Sequence, residues 1–385
     1  MTAFIAPGAT LGVMGGGQLG RMFVHAAQCM GYFTAVLDPD EHSPAGRVSH
    51  HHVRTGYLDD IGLATLCGHS AAVTTEFENV PADALARLAE HRPVAPGAAA
   101  VSIAQDRALE KAHFMRWGVP CAPHAVITNE EEVARGGDGL LPGILKTARL
   151  GYDGKGQARV KSRAELRAAW DKLGRADCVL EKMLPLAFEC SVVVARGADG
   201  AMVHLPVQRN LHRDGILAVT EVHEGCIPAA QAKQAIEATR AVAKGLDYVG
   251  VLCVEFFGLD DGSLVVNEMA PRPHNSGHWS LDAADVSQFE LQVRTLAGLP
   301  LVQPRQHSPA LMLNLLGDLW FTAGTERAPD WAGVLALPGA RLHLYGKASA
   351  RPGRKMGHLT ITGPSAADVR ATALAAAQRL GIAPF

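Results

Sequence analysis

The chain has 385 residues, of which 48% are hydrophobic and 19% are charged, and these proportions are typical of a globular protein with two or three domains. Its formal net charge of -2 gives no electrostatic reason to expect nucleic acid or an anionic membrane as a partner. The seven cysteines show no C-x-x-C pair or zinc spacing, and the chain has neither a basic leader nor an apolar run long enough to span a bilayer. We therefore expect reduced thiols in a cytoplasmic protein.

The N-terminal segment predicts a doubly wound α/β domain. Apolar strands are predicted over 10–14 and 33–37, separated by a glycine-rich turn and a helix that runs to about Met30. Gly15, Gly17 and Gly20 match G-x-G-x-x-G, and Asp38 lies close to where the ribose-binding acid of a dinucleotide fold would be. The glycines predict a sharp turn at a helix N-terminus, which suits NAD, a substrate phosphate or simply close packing on the strand.

Polar residues follow a third predicted strand, over 71–75. Glu76 and Asn79 come directly after it, at the edge of the sheet where α/β proteins bind ligands, so both are candidate substrate contacts. The alternative is that they cap a helix ahead of Pro81. An amphipathic helix carrying Arg107 is predicted over 102–117, and the Gly-Pro-rich stretch after it marks the first domain boundary.

The middle of the chain carries a pattern suited to phosphate binding. An apolar strand over 143–147 contains Lys146 and runs into Leu150–Gln157, where glycines alternate with polar residues. The N–H groups of such a loop can cover phosphates, although the loop is not a Walker A motif and an ordinary hairpin tip is the alternative. A helix follows, then a strand from Val179 into a linker whose backbone can read an adenine edge. Without further context, Glu181 and Glu189 are interpreted as surface charges.

Two glutamates are placed symmetrically about a predicted tight turn. The stretch around Asp260-Asp261-Gly262 reads as strand, turn and strand, and the midpoint of Glu255 and Glu268 falls inside the turn. The two carboxylates should therefore face each other across an antiparallel ladder and favour Mg²⁺. A protonated pair or a solvated edge pair is the alternative. Polar residues crowd the chain just beyond the pair, namely Arg272, His274, Asn275, Ser276 and His278.

The features described above follow one another along the chain as they do in the ATP-grasp enzymes, which this sequence resembles. Within that group it resembles the 5-(carboxyamino)imidazole ribonucleotide synthases of purine biosynthesis. The strings that carry the resemblance are MGGGQLGRM, TEFENVP, QDR, GYDGKGQ, NEMAPRPHNSGHW and RPGRKMGH, and they span nearly the whole chain. The resemblance implies an ATP-grasp fold with a doubly wound domain over 1–120, a central ATP-grasp domain over 121–303 and a small β-rich domain over 304–385. It also implies a carbon–nitrogen ligase that uses ATP and bicarbonate to carboxylate 5-aminoimidazole ribonucleotide through carboxyphosphate.

The resemblance further assigns roles to individual residues. Glu255 and Glu268 would hold Mg²⁺, or Mn²⁺ in its place, and a homodimer is expected. Many relatives in the superfamily place an Asn two residues after the second metal Glu, where this chain has Ala270, so the metal shell would rest on the two glutamates, phosphate oxygens and water. ATP would contact Arg107, Lys146, Gly151, Tyr152, Asp153, Gly154, Lys155, Gly156, Gln157, Glu181, Lys182, Met183, Leu184, Glu189, His212, Asn267 and Glu268. The substrates would contact Gln18, Glu76, Tyr152, Asp153, Arg272, His274, Asn275, Lys347, Arg351 and Arg354, with Arg272, Lys347 and Tyr152 in catalytic roles.

A basic cluster near the end of the chain, Lys347, Arg351, Arg354 and Lys355, suits a ribose 5′-phosphate, although without the resemblance a solvated basic turn is the favoured interpretation. Three other functions are alternatives. One is a ligase that acts on another ribonucleotide amine, such as formate-dependent formylation of glycinamide ribonucleotide. The second is an NAD-dependent dehydrogenase built on the first glycine turn. The third, a non-catalytic nucleotide-binding module, is disfavoured because the expected metal pair and cations are all present in the sequence.

Overall fold

In the computed structural model, which describes residues 4–137, 139–151, 155–322 and 324–385, the N-terminal segment forms a parallel four-stranded sheet. Its strands are β1 Thr10–Met14, β2 Phe33–Leu37, β3 His51–Val53 and β4 Ala72–Thr75, in the spatial order β3-β2-β1-β4. The helices of this segment are α1 Gln18–Cys29, α2 Asp60–His69, α3 Ala82–Ala89, α4 Ala98–Ala104 and α5 Arg107–Arg116. The parallel pairing of β1 with both β2 and β4 confirms the predicted α/β architecture.

The single helix predicted over 102–117 is wrong, because the structure divides it at Gln105 and Asp106 into α4 and α5. The carboxylate of Asp106 accepts hydrogen bonds from the N–H groups of Ala108 and Leu109, at 3.0 and 3.3 Å. An aspartate that caps a helix in this way competes with helical continuation, so the amphipathic pattern runs through a real break. The break places Arg107 in the first turn of α5.

The next segment forms a small antiparallel sheet with the order β5-β8-β6-β7. Its elements are β5 His124–Ile127, α6 Glu130–Arg135, β6 Gly143–Thr147, β7 Gln157–Val160, α7 Arg163–Lys172 and β8 Cys178–Lys182. Lys146 pairs with Gln157 across β6 and β7, so the glycine-rich loop is the connection of this hairpin.

A nine-stranded antiparallel sheet carries the rest of the described chain. Its first seven strands along the chain are β9 Leu186–Arg196, β10 Met202–His204, β11 Gln208–Arg213, β12 Ile216–Val222, β13 Gly250–Leu259, β14 Leu264–Ala270 and β15 Ala310–Leu316. A separate small hairpin follows, formed by β16 Phe321–Thr322 and β17 Thr325–Glu326. The last two strands of the large sheet are β18 Ala340–Leu344 and β19 Lys355–Thr362. The strands of the large sheet lie in the order β14-β13-β9-β11-β12-β15-β19-β18, with β10 beside β9. The helices are α8 Ala229–Gly245, α9 Ser280–Ala283, α10 Gln288–Ala297, α11 Trp331–Leu335 and α12 Ala366–Leu380, and 3-10 turns cover Asn275–Gly277 and Gly317–Trp320.

Helix α10 packs against both the N-terminal sheet and the nine-stranded sheet. Phe289, Leu291 and Val293 are fully buried and belong to three separate hydrophobic clusters, one of which includes β1 and α1 of the N-terminal sheet. Burying each such side chain stabilises the fold by roughly 1.5–3 kcal/mol. Residues on α10 are therefore held rigidly relative to every strand that they touch.

The predicted boundary after residue 303 falls between α10 and β15, yet β15 pairs with β12 of the central segment. The central and C-terminal segments thus share one sheet, and the domain limits at 120 and 303 stay a prediction. Within the described ranges, every helix is too short or too polar to cross a lipid bilayer.

Candidate active site

The predicted pairing of the two glutamates is confirmed. Glu255 on β13 lies directly opposite Glu268 on β14, and the turn runs through Gly262, whose φ of 83° suits glycine. A bulge after Glu255 shifts the ladder locally, so the register beyond it no longer follows simple symmetry about the turn. Two carboxylates are therefore presented opposite each other on neighbouring strands of the hairpin.

The two carboxyl groups have different environments. Burial, together with the neighbouring Glu268, raises the pKa of Glu255 to about 7, although His212 opposes that rise. Burial alone would also raise the pKa of Glu268, but Arg107 and Lys146 hold it below its usual value. Among the residues that the structure describes, Oε1 of Glu255 is buried without a hydrogen-bond partner. A facing carboxylate pair with an orphaned oxygen is a donor set that fits a hard divalent cation.

Arg107 approaches the pair from α5. Its guanidinium donates to Glu268 Oε2 at 2.9 Å, and its other terminal nitrogen lies 3.5 Å from the carbonyl of Gly151. Its own backbone N–H is held by Ala148 O at 2.9 Å. Arg107 therefore connects the carboxylate pair to the start of the glycine-rich loop.

A buried network of three charged residues, Lys111, Lys146 and Glu181, lies near the Glu255–Glu268 pair. Lys146 Nζ contacts Glu181 Oε2 at 2.9 Å and Asn267 Oδ1 at 3.5 Å, and Lys111 Nζ lies 3.1 Å from Glu181 Oε1. Burial alone would raise the pKa of Glu181, but the two lysines lower it to about 2. Interpreting Glu181 as a surface charge is therefore wrong, because only 4% of it is exposed.

Glu189 is not an ordinary surface charge either, since it forms an ion pair with His212 in a cleft of about 640 Å³. Burial alone would lower the pKa of His212, whereas the carboxylates of Glu189 and Glu255 raise it to about 9. The imidazole is therefore charged at neutral pH. This first cleft brings together most of the predicted ATP contacts: Arg107, Lys146, Lys155, Gln157, Glu181, Lys182, Met183, Leu184, Glu189, His212, Asn267 and Glu268.

The glycine-rich loop is described at its two ends. Gly156 has a φ of 70°, and a Cβ there would lie 2.6 Å from Thr147 Oγ1, so this position requires glycine. Lys155 and Gln157 line the first cleft, and Gly151 lies beside Arg107. Tyr152, Asp153 and Gly154 lie outside the described residues, so their assigned roles stay predictions.

The N-terminal glycine turn binds the protein's own carboxylates. Glu76 accepts from the N–H groups of Gly17 and Gly20 at 2.9 and 3.1 Å, and Asp38 accepts from Gly16 at 2.7 Å. A Cβ at Gly17 would lie 2.6 Å from Glu76 Oε1, so the turn and this carboxylate fit closely. The position where a dinucleotide would place its pyrophosphate is therefore taken, and Glu76 caps α1 rather than the helix after Pro81.

A second cleft, of about 610 Å³, lies beside the first. The guanidinium of Arg272 is ion-paired with Glu78 at its wall, Lys347 Nζ donates to Lys355 O at 2.6 Å, and Arg354 donates to Ser349 O at 2.8 Å. Most of the predicted substrate contacts line it: Gln18, Glu76, Arg272, Asn275, Lys347, Arg351 and Arg354.

The two clefts are neighbours. Lys155, Asn275 and Lys355 line both of them, and a connecting space of about 110 Å³ lies between. The connecting space shares the Glu255–Glu268 pair with the first cleft and Arg272 with the second. The two clefts and the space between them therefore form one continuous groove that shares these residues.

Sequence reasoning missed three charged residues in or next to these clefts: Glu78 and Glu110, which line the connecting space, and Lys111, which pairs with Glu181 behind the first cleft. Glu110 accepts the N–H of Met269, next to Glu268, and burial raises its pKa to about 8. Lys111 follows Arg107 by four residues on one helix face, and that spacing was an available signal. The partnership of Glu78 with Arg272 is long-range and has no local signal.

A separate polar cluster lies between α9 and strands β18 and β19. Side-chain atoms of Asp282, His343 and His358 that can bind metal lie within 4.8 Å of one another. The two imidazoles stack in nearly parallel planes, at 14° and 4.5 Å between centroids, so their lone pairs do not converge on one point. His343 bonds to Asp282 at 2.9 Å and Tyr345 to His358 at 2.9 Å, so the cluster is a hydrogen-bonded part of the core.

Comparisons with known proteins agree with this layout. Three family models match successive parts of the chain: the ribonucleotide synthetase preATP-grasp domain over residues 8–105, the ATP-grasp domain over 112–289 and the phosphoribosylaminoimidazole carboxylase C-terminal domain over 310–372. The N5-carboxyaminoimidazole ribonucleotide synthase of Brucella melitensis is 44% identical over 371 residues, covering 94% of this chain and 98% of that protein.

Two solved structures are similar over nearly the whole chain. The ADP complex of an N5-carboxyaminoimidazole ribonucleotide synthetase matches with a TM-score of 0.90 and 38% identity and covers 98% of each chain. The N5-carboxyaminoimidazole synthase of Aspergillus clavatus, in complex with ADP and 5-aminoimidazole ribonucleotide, matches with a TM-score of 0.87 and 30% identity and covers 97% of this chain and 98% of that one. These matches do not favour the formate-dependent or nicotinamide-dependent alternatives.

Proposed function

The chain belongs to the N5-carboxyaminoimidazole ribonucleotide synthase family of ATP-grasp enzymes, and from that premise we propose how its two clefts divide the reaction. It is an ATP-dependent carbon–nitrogen ligase that carboxylates 5-aminoimidazole ribonucleotide with bicarbonate in purine biosynthesis. In our proposal the first cleft binds ATP and the second binds the ribonucleotide. The observation that carries this division is the Glu255–Glu268 pair in the space that connects them.

Glu255 and Glu268 hold the divalent cation, Mg²⁺ or Mn²⁺, in this proposal. The facing carboxylates and the orphaned oxygen of Glu255 support it. When bound, such an ion supplies positive charge to the phosphate oxygens of the nucleotide. Because Ala270 occupies the position of a third protein ligand, the two glutamates are the protein's share of the metal shell.

The remaining residues of the first cleft orient the nucleotide. Lys146 and Arg107 neutralise phosphate charge, the stretch from Glu181 to Leu184 lines the adenine, and Glu189, next to His212, binds the ribose hydroxyls. Burial among apolar and paired groups lowers the local dielectric, so each of these charges acts more strongly than it would in water. The glycine-rich loop over 151–157 closes over the phosphates.

The connecting space is where bicarbonate reacts. Arg272, His274 and Asn275 bind it there, so that its oxygen attacks the terminal phosphorus of ATP in line and ADP leaves. Carboxyphosphate then releases CO₂ and phosphate, and the exocyclic amine of the ribonucleotide captures the CO₂. Both intermediates are lost if water enters, so closure of the glycine-rich loop protects them.

The second cleft holds the ribonucleotide. Arg351, Arg354 and Lys347 surround its 5′-phosphate, since guanidinium and ammonium groups form strong charge-assisted hydrogen bonds to phosphate. Gln18 binds the ribose end in this arrangement, together with Glu76, whose carboxylate oxygens also accept the N–H groups of Gly17 and Gly20, and Arg272 and Lys347 face the reacting groups. Tyr152 and Asp153 are proposed to reach the same substrates from the loop.

The organisation of the protein is proposed on the same basis. A doubly wound domain over 1–120 supplies Gln18 and Glu76, a central domain over 121–303 supplies the nucleotide cleft, and a C-terminal segment over 304–385 supplies the phosphate-binding arginines. The protein is proposed to act in the cytoplasm as a homodimer. Sedimentation of the purified protein would test the dimer.

A substrate-dependence assay tests the proposed function. ADP release should require Mg²⁺, bicarbonate and 5-aminoimidazole ribonucleotide together, and carboxylated ribonucleotide should form in the same reaction. Replacing bicarbonate with formate, or the substrate with glycinamide ribonucleotide, should abolish product formation. Formate-dependent turnover, or hydride transfer to a nicotinamide, would overturn the proposal.

A further inference from the structure

The segment between Arg272 and Asn275 lies where the two clefts meet. Arg272 lines the second cleft and the connecting space, His274 lines the first cleft and the connecting space, and Asn275 lines all three. The segment leaves β14 and is not part of a strand or an α-helix. Local bonds hold its ends, since the N–H of Arg272 donates to the carbonyl of Ala270 and Asn275 begins a 3-10 turn, and its middle is also held by contacts from elsewhere in the molecule.

Gln288 supplies those contacts. Its Oε1 accepts the N–H of His274 at 2.9 Å, and its Nε2 donates to the carbonyl of His274 at 2.8 Å. The side-chain carboxamide thus pairs with both peptide groups of one residue, as a neighbouring β-strand would. The N–H of His274 needs an acceptor, so Oε1 must face it and Nε2 must face the carbonyl, which also accepts the N–H of Gly277 at 3.0 Å. The same Nε2 lies 3.0 Å from Nδ1 of His278.

The clamp is rigid. Gln288 is fully buried in the first turn of α10, where Ser287 caps the helix, and its own N–H donates to Ser280 Oγ at 3.0 Å. On the opposite side, a Cβ added to Gly277 would lie 2.4 Å from Gln288 Oε1. The carboxamide therefore lies closely packed between α10 and the 3-10 turn.

Holding the main chain of His274 also aims its side chain. Nδ1 accepts from the N–H of Ser276 at 3.4 Å and lies 2.9 Å from Ser276 Oγ. Nε2 is therefore left to face Glu255, whose nearest carboxylate oxygen lies 3.7 Å away. A shift of the main chain at His274 would change the distance between this ring and the carboxylate pair and would widen the connecting space.

We infer that Gln288 is a positioning residue, whose carboxamide holds the segment 272–275 so that the intermediate formed in the connecting space is captured by the ribonucleotide in the second cleft. This inference rests on the proposed function. Neither cleft is lined by Gln288 itself, so its effect passes through the main chain of His274. Its loss should uncouple ATP cleavage from carboxylation while nucleotide binding stays intact.

The test compares product formed with ADP released in two variants that disturb the clamp from opposite sides. Gln288→Glu keeps the shape but puts an oxygen against the carbonyl of His274, and Gly277→Ala changes no hydrogen-bonding group but pushes on the carboxamide. Both should lower kcat/KM for the ribonucleotide by roughly ten- to hundredfold and leave most of the released ADP without matching product. The Kd for the nucleotide should stay within about twofold of the wild-type value.

Gln306→Leu is the matched control. Gln306 also clamps backbone, donating to the carbonyls of Val222 and Ser308 at 2.8 Å each, but it lines neither cleft. It should destabilise the fold without changing the ratio of product to ADP. If the wild-type enzyme forms one product molecule for each ADP released and both clamp variants do the same, the inference about Gln288 is wrong. If the wild type itself shows no ribonucleotide-dependent turnover, the proposed function fails instead.

Discussion

The two clefts carry similar positive charge but differ in negative charge. Among the described residues, the first cleft is lined by seven cationic and five acidic side chains: Arg107, Lys146, Lys155, Arg159, Lys182, Lys355 and the charged His212 against Glu181, Glu189, Asp214, Glu255 and Glu268. The second is lined by six basic and two acidic side chains: Lys155, Arg272, Lys347, Arg351, Arg354 and Lys355 against Glu76 and Glu78.

This difference matches the two ligands. A nucleotide triphosphate that arrives with a divalent cation needs both cationic contacts for phosphate and carboxylates for the metal. A ribose 5′-phosphate arrives without a metal, so a predominantly basic wall suffices. In the second cleft, Glu76 is taken up by the N–H groups of the first glycine turn and Glu78 by Arg272. The net field there is therefore positive.

The largest expected effect is in the first cleft. Glu268→Gln removes one of the two proposed metal ligands and should lower ADP release by roughly 10³-fold, because the charge that develops on the phosphoryl group loses its counter-ion. Asp261→Asn is the matched control, since it makes the same acid-to-amide change at the exposed turn of the same hairpin. Near-normal turnover by Glu268→Gln, with the fold intact by circular dichroism, would remove the metal proposal.

The second prediction distinguishes the effect of a lysine charge on the ATP phosphates from its effect on the buried carboxylate of Glu181. Lys146→Met and Lys111→Met each remove one partner of Glu181, so urea denaturation should show both destabilised, by about 3 kcal/mol. Lys146 lines the first cleft and Lys111 does not. We therefore expect kcat/KM for ATP to fall roughly 10²-fold in Lys146→Met and far less in Lys111→Met. Equal kinetic losses would mean that Lys146 acts through stability alone.

The smallest effect is in the second cleft. Arg354→Ala should raise the KM for the ribonucleotide roughly tenfold, the cost of one charge-assisted contact to phosphate, and leave the KM for ATP nearly unchanged. Arg341→Ala, an exposed arginine on β18 outside both clefts, should change neither value. If Arg354→Ala raised both constants equally, the phosphate site would lie elsewhere and the contrast between the clefts would not hold.

Local signals predicted the elements well and the contacts between distant elements poorly. The symmetric placement of Glu255 and Glu268 about a turn correctly predicted their pairing, because hairpin register is set by the turn. The break at Asp106 was missed because a helix cap leaves the hydrophobic period undisturbed. Glu181 was read as exposed because its partners, Lys146 and Lys111, lie 35 and 70 residues away in the chain.

The N-terminal glycine turn is a second case in which a local pattern predicts an element but not its distant contact. Gly15, Gly17 and Gly20 correctly predict a tight turn at a helix N-terminus, but the pattern does not say what anion it binds. Glu76, 59 residues after Gly17, fills that position, and this contact arises only when β4 pairs beside β1. The clamp of Gln288 on His274 likewise depends on tertiary packing of α10 and has no local signature.

A crystal structure with Mn²⁺, a non-hydrolysable ATP analogue and 5-aminoimidazole ribonucleotide is the most direct test of the division between the clefts. We expect one anomalous Mn²⁺ peak bonded to an oxygen of both Glu255 and Glu268 at roughly 2 Å, with the nucleotide in the first cleft. The ribonucleotide phosphate should lie against Arg351 and Arg354 in the second cleft. A Mn²⁺ peak away from both carboxylates, or both ligands bound in one cleft, would contradict the account.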